Sequence, residues 1–292
     1  MNTLTVVERV EALCQDVCHR PQHVFIAEPD LDLIEQLRKV EESPKQDPFP
    51  TSMTSSDDKL LFWVFYELLA GSVNYCYWVG KSEVRPGGSR ASKMYALLDQ
   101  IFVEARQDNT SKSRIISSFN QVLLKEGFPL VEKRCRHTQE ITPELCQHVY
   151  ECLQRGAWDN CLQAVITACP GYADDPFLKR LFLVFMQLHR RTSQFTDMMR
   201  SHVLVPADYH VPKVLRALKI LSYSDELGHL VANSMPIPSG SSMECEIRAS
   251  TILACQQLAL QAGVSVEQVD RYLWYNKSRY SANFHLTVTS HY

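Results

Sequence analysis

Apolar residues recur at helical spacing along most of the chain. Over residues 3–18, Leu4, Val7, Val10, Leu13, Cys14 and Val17 fall on one side of a 3.6-residue period, which predicts an amphipathic helix. His23 to Ile26 reads as a brief extended segment, and Pro29 opens a second helix with Leu33, Ile34, Leu37 and Val40 inward. Residues 43–56 carry Pro44, Pro48 and Pro50 among Ser and Thr and read as a loop. Asp57 or Asp58 then caps a helix over 59–70. Its run Leu60, Leu61, Phe62, Trp63, Val64, Phe65, Tyr66 is apolar nearly all round, the mark of a helix buried on most sides. Directly after it, Asn74-Tyr75-Cys76-Tyr77-Trp78 is either core or the wall of a pocket for a flat ligand.

Residues 84–89 read as a turn, and 92–105 and 113–125 as amphipathic helices, the second stopped by Gly127 and Pro129. Thr142-Pro143 starts a helix that ends at Gly156, and 157–169 is helical up to Pro170-Gly171. Pro176 precedes a strongly apolar helix over 177–189, in which Lys179 either snorkels or meets an anion. Short helices over 212–221 and 224–232 lead to a long one over 244–261, ended by Gly263. Ser265 and Gln268 form a capping box, so Asp270 falls in the second turn of the next helix. Residues 284–290 carry a strand-like alternation. No internal repeat is visible. The pattern predicts a single mainly α domain, with N-terminal helices and a loop over 1–56 and a pocket-forming core over 57–292.

Composition narrows the function classes. At 292 residues, 45% hydrophobic and 22% charged, the chain can bury a core. Its net charge of -3, with Lys and Arg scattered, offers no basic surface for phosphate backbones and argues against direct binding to nucleic acid. The ten cysteines fit no paired C-x2-C scheme and read as reduced core thiols, so no metal is expected. Glu8, Arg9 and Glu11 interrupt any signal peptide, and the apolar runs at 60–65 and 181–186 are too short to span a bilayer. The expectation is a cytoplasmic protein with no membrane partner.

Chemistry-bearing residues concentrate in the last third. Burying an unpaired carboxylate costs several kcal/mol, so carboxylates on these otherwise apolar elements are expected to face a shared pocket. Glu244 and Arg248, four apart, can instead pair with each other, and Glu246 either points to that pocket or caps a neighbour. In order along the chain come Ala207-Asp208-Tyr209-x-Val211-Pro212, Leu221-x-Tyr223-Ser224-x-Glu226-Leu227 and Glu244-x-Glu246-Ile247-Arg248-Ala249. Asp270-x-Tyr272-Leu273-Trp274 and a terminal Tyr292 follow. This set resembles the queuosine salvage protein family, whose members are queuosine 5′-phosphate N-glycosidases. Collinear upstream matches are Val73 to Trp78, Glu126-Gly127-Phe128-Pro129-Leu130 and Phe177-x-Lys179-Arg180, and the resemblance spans roughly residues 60–292.

The resemblance implies an all-helical fold similar to helix-hairpin-helix DNA glycosylases. It also implies an N-glycosyl hydrolase, without cofactor, that frees queuine, a 7-deazaguanine base, from ribose 5-phosphate for salvage into tRNA modification. The D-x-x-L-W match makes Asp270 the catalytic aspartate, the A-D-Y match makes Asp208 a pocket aspartate, and the F-x-K-R match brings in Lys179. These residue types suit the chemistry. Positive charge builds at the anomeric carbon as the base leaves, and a carboxylate there stabilises it and deprotonates the attacking water. A second carboxylate accepts from a guanine-type edge, the role expected of Asp208. Tyr77, Trp78, Tyr209 and Trp274 are the candidates for stacking, Lys179 for the phosphate, and Glu246 and His285 for further substrate contacts.

The chain departs from the family at several points. His210 stands where the family usually has arginine, Leu286 and His291 replace an arginine and a tyrosine of its H-R-T-x-x-x-Y-Y ending, and residues 135–175 look shortened. The expected partner is therefore a small modified nucleotide or the free nucleoside. A catalytically silent base-binding protein and a helical scaffold are the alternatives from other classes.

Overall fold

A computed structural model describes residues 4–41, 56–78, 90–107, 111–192, 195 and 202–292. It is mainly α, with fourteen helices and one two-stranded sheet among the described residues. The expected loop over 43–56 lies, apart from Ser56, outside the described residues, as does the expected turn at 84–89. The chain forms two compact units, one from residues 1–48, 176–290 and 292, the other from 49–175 and 291.

The first unit is built on one long helix. Helices α1 (Val6–Val17) and α2 (Leu31–Arg38), strand β1 (Val24–Ile26) and α10 (Lys179–Thr192) belong to it, with α11 (His210–Ala217), β2 (Leu221–Tyr223) and α12 (Asp225–Ala232). Helices α13 (Ser242–Ala262) and α14 (Val266–Asn276) complete it, with a 3-10 turn at Lys277–Arg279. Helix α13 packs against α1, α2, α11, α14 and both strands, and its residues from Glu244 to Ala262 are buried on nearly every side. The N-terminal helices therefore fold onto the C-terminal third rather than forming a separate preface.

Local sequence signals set the ends of these helices. Thr5 and Glu8 close a capping box at the start of α1, and Asp30 caps α2 by accepting from the Leu33 amide at 2.7 Å. Gly263, at φ +68°, adopts the left-handed turn that ends α13. Two residues later Ser265 and Gln268 exchange side-chain and backbone hydrogen bonds of 3.2 and 2.9 Å, which fixes the first turn of α14. The Tyr272 hydroxyl donates to Gln36 at 2.5 Å and Gln268 to the Val40 carbonyl at 2.6 Å, tying α14 to the α2 region.

Two expectations are corrected here. The helix expected over 212–221 ends at Ala217, and Leu221, expected as its last residue, opens β2, which pairs antiparallel with β1 in the register Val24–Tyr223, Phe25–Ser222, Ile26–Leu221. Residues 284–290 make no strand. Only Leu286 bridges Pro236, its carbonyl accepting from Ile237 at 2.7 Å, and His285, Leu286 and Thr287 are buried in succession, so the alternation does not separate two faces.

The second unit contains α3 (Ser56–Ser72), α4 (Arg90–Gln107), α5 (Lys112–Lys125), α6 (Val131–Gln139), α7 (Pro143–Gln154), α8 (Trp158–Ala168) and the short α9 (Pro170–Ala173). Helix α3 begins at Ser56, so Asp57 and Asp58 lie inside its first turn rather than capping it. It is buried nearly all round, as its composition predicts, and packs on α6 and α7. Helix α6 had no clear apolar period; it brings Arg134, fully buried, under the end of α3. The Arg134 guanidinium donates to the carbonyls of Val73, Tyr75, Cys76 and Pro129 and lies against the rings of Tyr75, Tyr77 and Phe128. One cation thus satisfies four buried carbonyls and fixes the path of residues 73–78.

Arg134→Met should destabilise the protein by about 3 kcal/mol, because four buried acceptors lose a charged donor. Lys133→Met, next in sequence, removes only a half-exposed ion pair to Asp174 and should cost less than about 1 kcal/mol. Chemical denaturation of the two variants side by side checks this; equal losses would refute the role given to Arg134.

Candidate active site

The capping box at Ser265 places Glu267 and Asp270 three residues apart on one buried side of α14. Two carboxylates on such a face require a cation, and α10 supplies Arg190. Its Nη2 donates to Asp270 Oδ2 at 3.1 Å and its Nε to Glu267 Oε1 at 2.8 Å. Burial opposes the charge on Arg190, but Asp270 and Glu267 together hold its pKa above the ordinary value. The other oxygen of Asp270, Oδ1, takes no hydrogen bond from the described residues. Burial pushes the Asp270 carboxyl up to about 6; Arg190 pulls it back, and the charges of Asp208 and Glu267 raise it further.

Asp208 sits just before α11. Its Oδ1 accepts from the backbone N–H of His210 at 2.7 Å and of Val211 at 3.1 Å, an arrangement that starts α11 and locks the carboxylate in place. Lys277, in the turn after α14, faces both acids. Burial lowers its pKa to about 8, against the pull of Asp208 and Asp270. Its Nζ lies 3.0 Å from the centroid of the Trp274 ring, and Lys213 Nζ donates to the Lys277 carbonyl at 3.1 Å.

His210 is packed among rings, with Tyr209 at 4.4 Å, Trp274 at 5.2 Å and Phe284 at 5.7 Å between centroids. Burial lowers its pKa to about 4; Asp208 opposes this, while Lys277, Lys213 and Lys179 reinforce it. The imidazole is therefore neutral at pH 7, and its Nδ1 has no hydrogen-bond partner among the described residues. His285 is likewise lowered, to about 3, first by burial, and its Nε2 meets the Tyr292 hydroxyl at 2.9 Å.

Within this unit the structure draws together Asp270, Asp208, Tyr209, Trp274, Lys179 and His285, all expected at the site from sequence: Asp208 acts on Asp270 and on His285, Lys179 acts on His210, and His210 contacts Tyr209 and Trp274. Glu246 does not join them. Its carboxylate accepts from the amides of Gln22, His23 and Val24, at 2.7 Å for His23, and so caps the approach to β1. A carboxylate taking three backbone donors is a structural anchor. Glu244 pairs with Arg248 at 3.6 Å and accepts from the Gly240 amide, so it too serves the fold. Tyr77 and Trp78 belong to the other unit. Both are buried there, and the Tyr77 hydroxyl reaches the Val73 carbonyl at 3.4 Å beside Arg134.

Sequence reasoning missed Arg190, Glu267 and Lys277. The spacing Glu267-x-x-Asp270 was the available signal for the first two, since two acids on one helix face demand a partner. Lys277, three residues after Trp274, was the signal for a cation lying on that ring. Among the described residues no cluster of His, Cys, Asp and Glu is arranged to hold a metal ion, and no helix is long and apolar enough to cross a membrane.

Comparison with known proteins bears on this constellation. The family model described as queuosine salvage protein matches residues 51–292. Three similar proteins carry the name queuosine 5′-phosphate N-glycosylase/hydrolase. The one from Dictyostelium discoideum is 46% identical over 52 residues, 18% of this chain and 16% of that protein. The one from Sphaerobacter thermophilus is 40% identical over 94 residues, 30% and 29% of the two chains. The Mus musculus protein is 26% identical over 231 residues, 68% of this chain and 66% of its own length, so the matched stretch is under two thirds of each relative. With the family match running from residue 51 to the last residue, across the whole constellation of Asp208, Asp270 and Lys179, the chain belongs to the queuosine salvage protein family.

Proposed function

We propose that this chain hydrolyses the N-glycosidic bond of queuosine 5′-phosphate, releasing queuine and ribose 5-phosphate. The observation that carries the reading is Asp270: a buried carboxylate with one oxygen held by Arg190 and the other without a donor among the described residues, beside a second fixed carboxylate. In the reaction the bond from the anomeric carbon to the base nitrogen breaks, its electron pair leaves with the base, and water oxygen bonds to that carbon. Asp270 faces the developing positive charge and takes a proton from the water, and the departing base nitrogen takes up a proton from solvent, so that one water is divided between the sugar and the base. A carboxyl that titrates near pH 6 is ionised at pH 7 and is a stronger base than an ordinary aspartate. Asp208 accepts from the N–H and amino donors of the 7-deazaguanine edge, and its anchoring by two amides supports that use. Tyr209 and Trp274 stack on the base, and His285 lines the site through its contact with Tyr292.

The nucleotide, rather than the free nucleoside, is favoured by the lysines. His210 is neutral and replaces no arginine charge, but Lys179, Lys213 and Lys277 all act on it and supply cations in its place. Lys179 is assigned to the phosphate. Acting on a small molecule, the site calls on no nucleic-acid surface, and the reaction suits a cytoplasmic protein that returns queuine to tRNA modification.

Purified protein incubated separately with queuosine 5′-phosphate and with queuosine should release free queuine, faster from the nucleotide; binding of the base without release would support the silent reading instead. Asp270→Asn should slow release by roughly a hundred- to a thousandfold, about 3–4 kcal/mol, while binding persists. Lys179→Met should raise KM for the nucleotide by about tenfold and leave the nucleoside unaffected, and an equal effect on both would contradict the phosphate assignment.

Burial of Asp270 also has a stability signature. Its folded pKa, about 6, lies above the unfolded value of 3.8, so between those two pH values the folded state holds a proton that the unfolded state has lost. Stability from this group therefore falls as pH rises from about 4 to 6, by about 3 kcal/mol in all, and stays reduced above that. Asp270→Asn should gain stability relative to the unsubstituted protein on going from pH 4 to pH 8, measured by urea denaturation. A carboxylate retained for its ion pair with Arg190 would give the opposite trend.

A further inference from the structure

Helix α10 and helix α14 share one arginine between two acids. Arg190 turns a single edge of its guanidinium, Nε and Nη2, toward α14, and each nitrogen meets a different carboxylate, Glu267 Oε1 at 2.8 Å and Asp270 Oδ2 at 3.1 Å. Bidentate pairing with one carboxylate is the ordinary use of that edge. Splitting it between two acids gives each carboxylate one of the two nitrogens, so where the guanidinium sits at Asp270 depends on where Glu267 holds it. Asp208 adds a further negative charge from ahead of α11. Among the described residues, Lys277 from the turn after α14 and the Cys255 thiol from α13, held neutral by burial, also act on Asp270. Arg190 is thus the one cation hydrogen-bonded to Asp270 among the described residues, and Glu267 fixes where that cation sits.

We propose that Arg190 and Glu267 are positioning residues for Asp270: Glu267 anchors the guanidinium through Nε, so that Nη2 holds Asp270 Oδ2 and leaves Oδ1 oriented for the sugar and the attacking water. The inference rests on the glycosidase reading for what Asp270 does, but the geometry of the trio is independent of it. Glu267 sets the balance. It spends part of the arginine's charge, so Asp270 is held in place without being reduced to a weak base. Removal of either partner should then move the protonation of Asp270 in opposite directions, a result that simple loss of packing does not produce.

The test follows the carboxyl carbon of residue 270 by NMR titration of 13C-labelled protein, the resonance being assigned by its loss in Asp270→Asn, alongside kcat/KM against pH. Glu267→Gln, which keeps shape and removes charge, should lower the Asp270 midpoint by about one pH unit and carry the acid limb of kcat/KM with it. Arg190→Met should raise the midpoint by about one pH unit or more, cut kcat at pH 7 with KM little changed, and regain activity at higher pH. Arg190→Lys, charged but unable to span both acids, should fall between. If Arg190→Met does not fold, Glu267→Gln alone decides. A midpoint unmoved in a folded Glu267→Gln protein overturns the proposal. Titrations that shift as expected in a protein that never frees queuine would leave the positioning intact and discard the hydrolase reading instead.

Discussion

Everything at this site depends on keeping two carboxylates, Asp208 and Asp270, close together and out of water. Burial raises the cost of ionising Asp270, and the charge of Asp208 adds to that cost. The protein offsets it in two different ways. Asp208 is held by backbone amides at the start of α11, a neutral solution built into the turn itself, while Asp270 is held by a guanidinium from α10 with Lys277 nearby. The first carboxylate is fixed and saturated on one oxygen. The second is held on one oxygen and keeps the other, together with a raised proton affinity. In the proposed reaction the first reads the base and the second works on the sugar, a difference that would lie in their donors rather than in residue type.

The fold around them is arranged to hold that separation. Helix α13, buried along its length, is the floor against which α1, α2, α11 and α14 pack, and its own acids are consumed in doing so: Glu244 on Arg248 and Glu246 on the amides before β1. Arg248 in turn lies between the Phe177 and Tyr292 rings and donates to the Ala207 carbonyl, the residue before Asp208. The last residue of the chain and the approach to α10 therefore meet on one buried cation, and that cation also steadies the segment carrying Asp208. Arg134 plays a comparable part in the other unit, where it organises residues 73–78.

Much of this was legible in sequence where the signal is local. The capping box at Ser265 and the glycine at 263 located α14 and the turn holding Asp270, and the all-round apolar run of α3 announced a buried helix. Pairings between distant residues were not legible. Glu246 read equally well as a pocket acid because nothing local reveals that the Gln22 to Val24 amides lie against it. Leu221-Ser222-Tyr223 is too short for an alternating pattern to declare a strand, while the β-branched stretch near the C-terminus showed an alternation that burial on both sides makes irrelevant. Arg190 stayed hidden for the same reason: it closes a helix dominated by apolar residues, and its two acids lie about eighty positions away.

The central claim is that Asp270 stands against the sugar carbon while the base is still attached. The most direct measurement is a crystal structure of the Asp270→Asn protein with uncleaved queuosine 5′-phosphate. The account predicts the side chain of residue 270 within about 3.5 Å of the anomeric carbon, Asp208 on the base edge and Arg190 still bonded to Glu267. A nucleotide bound with its anomeric carbon remote from residue 270 would contradict it.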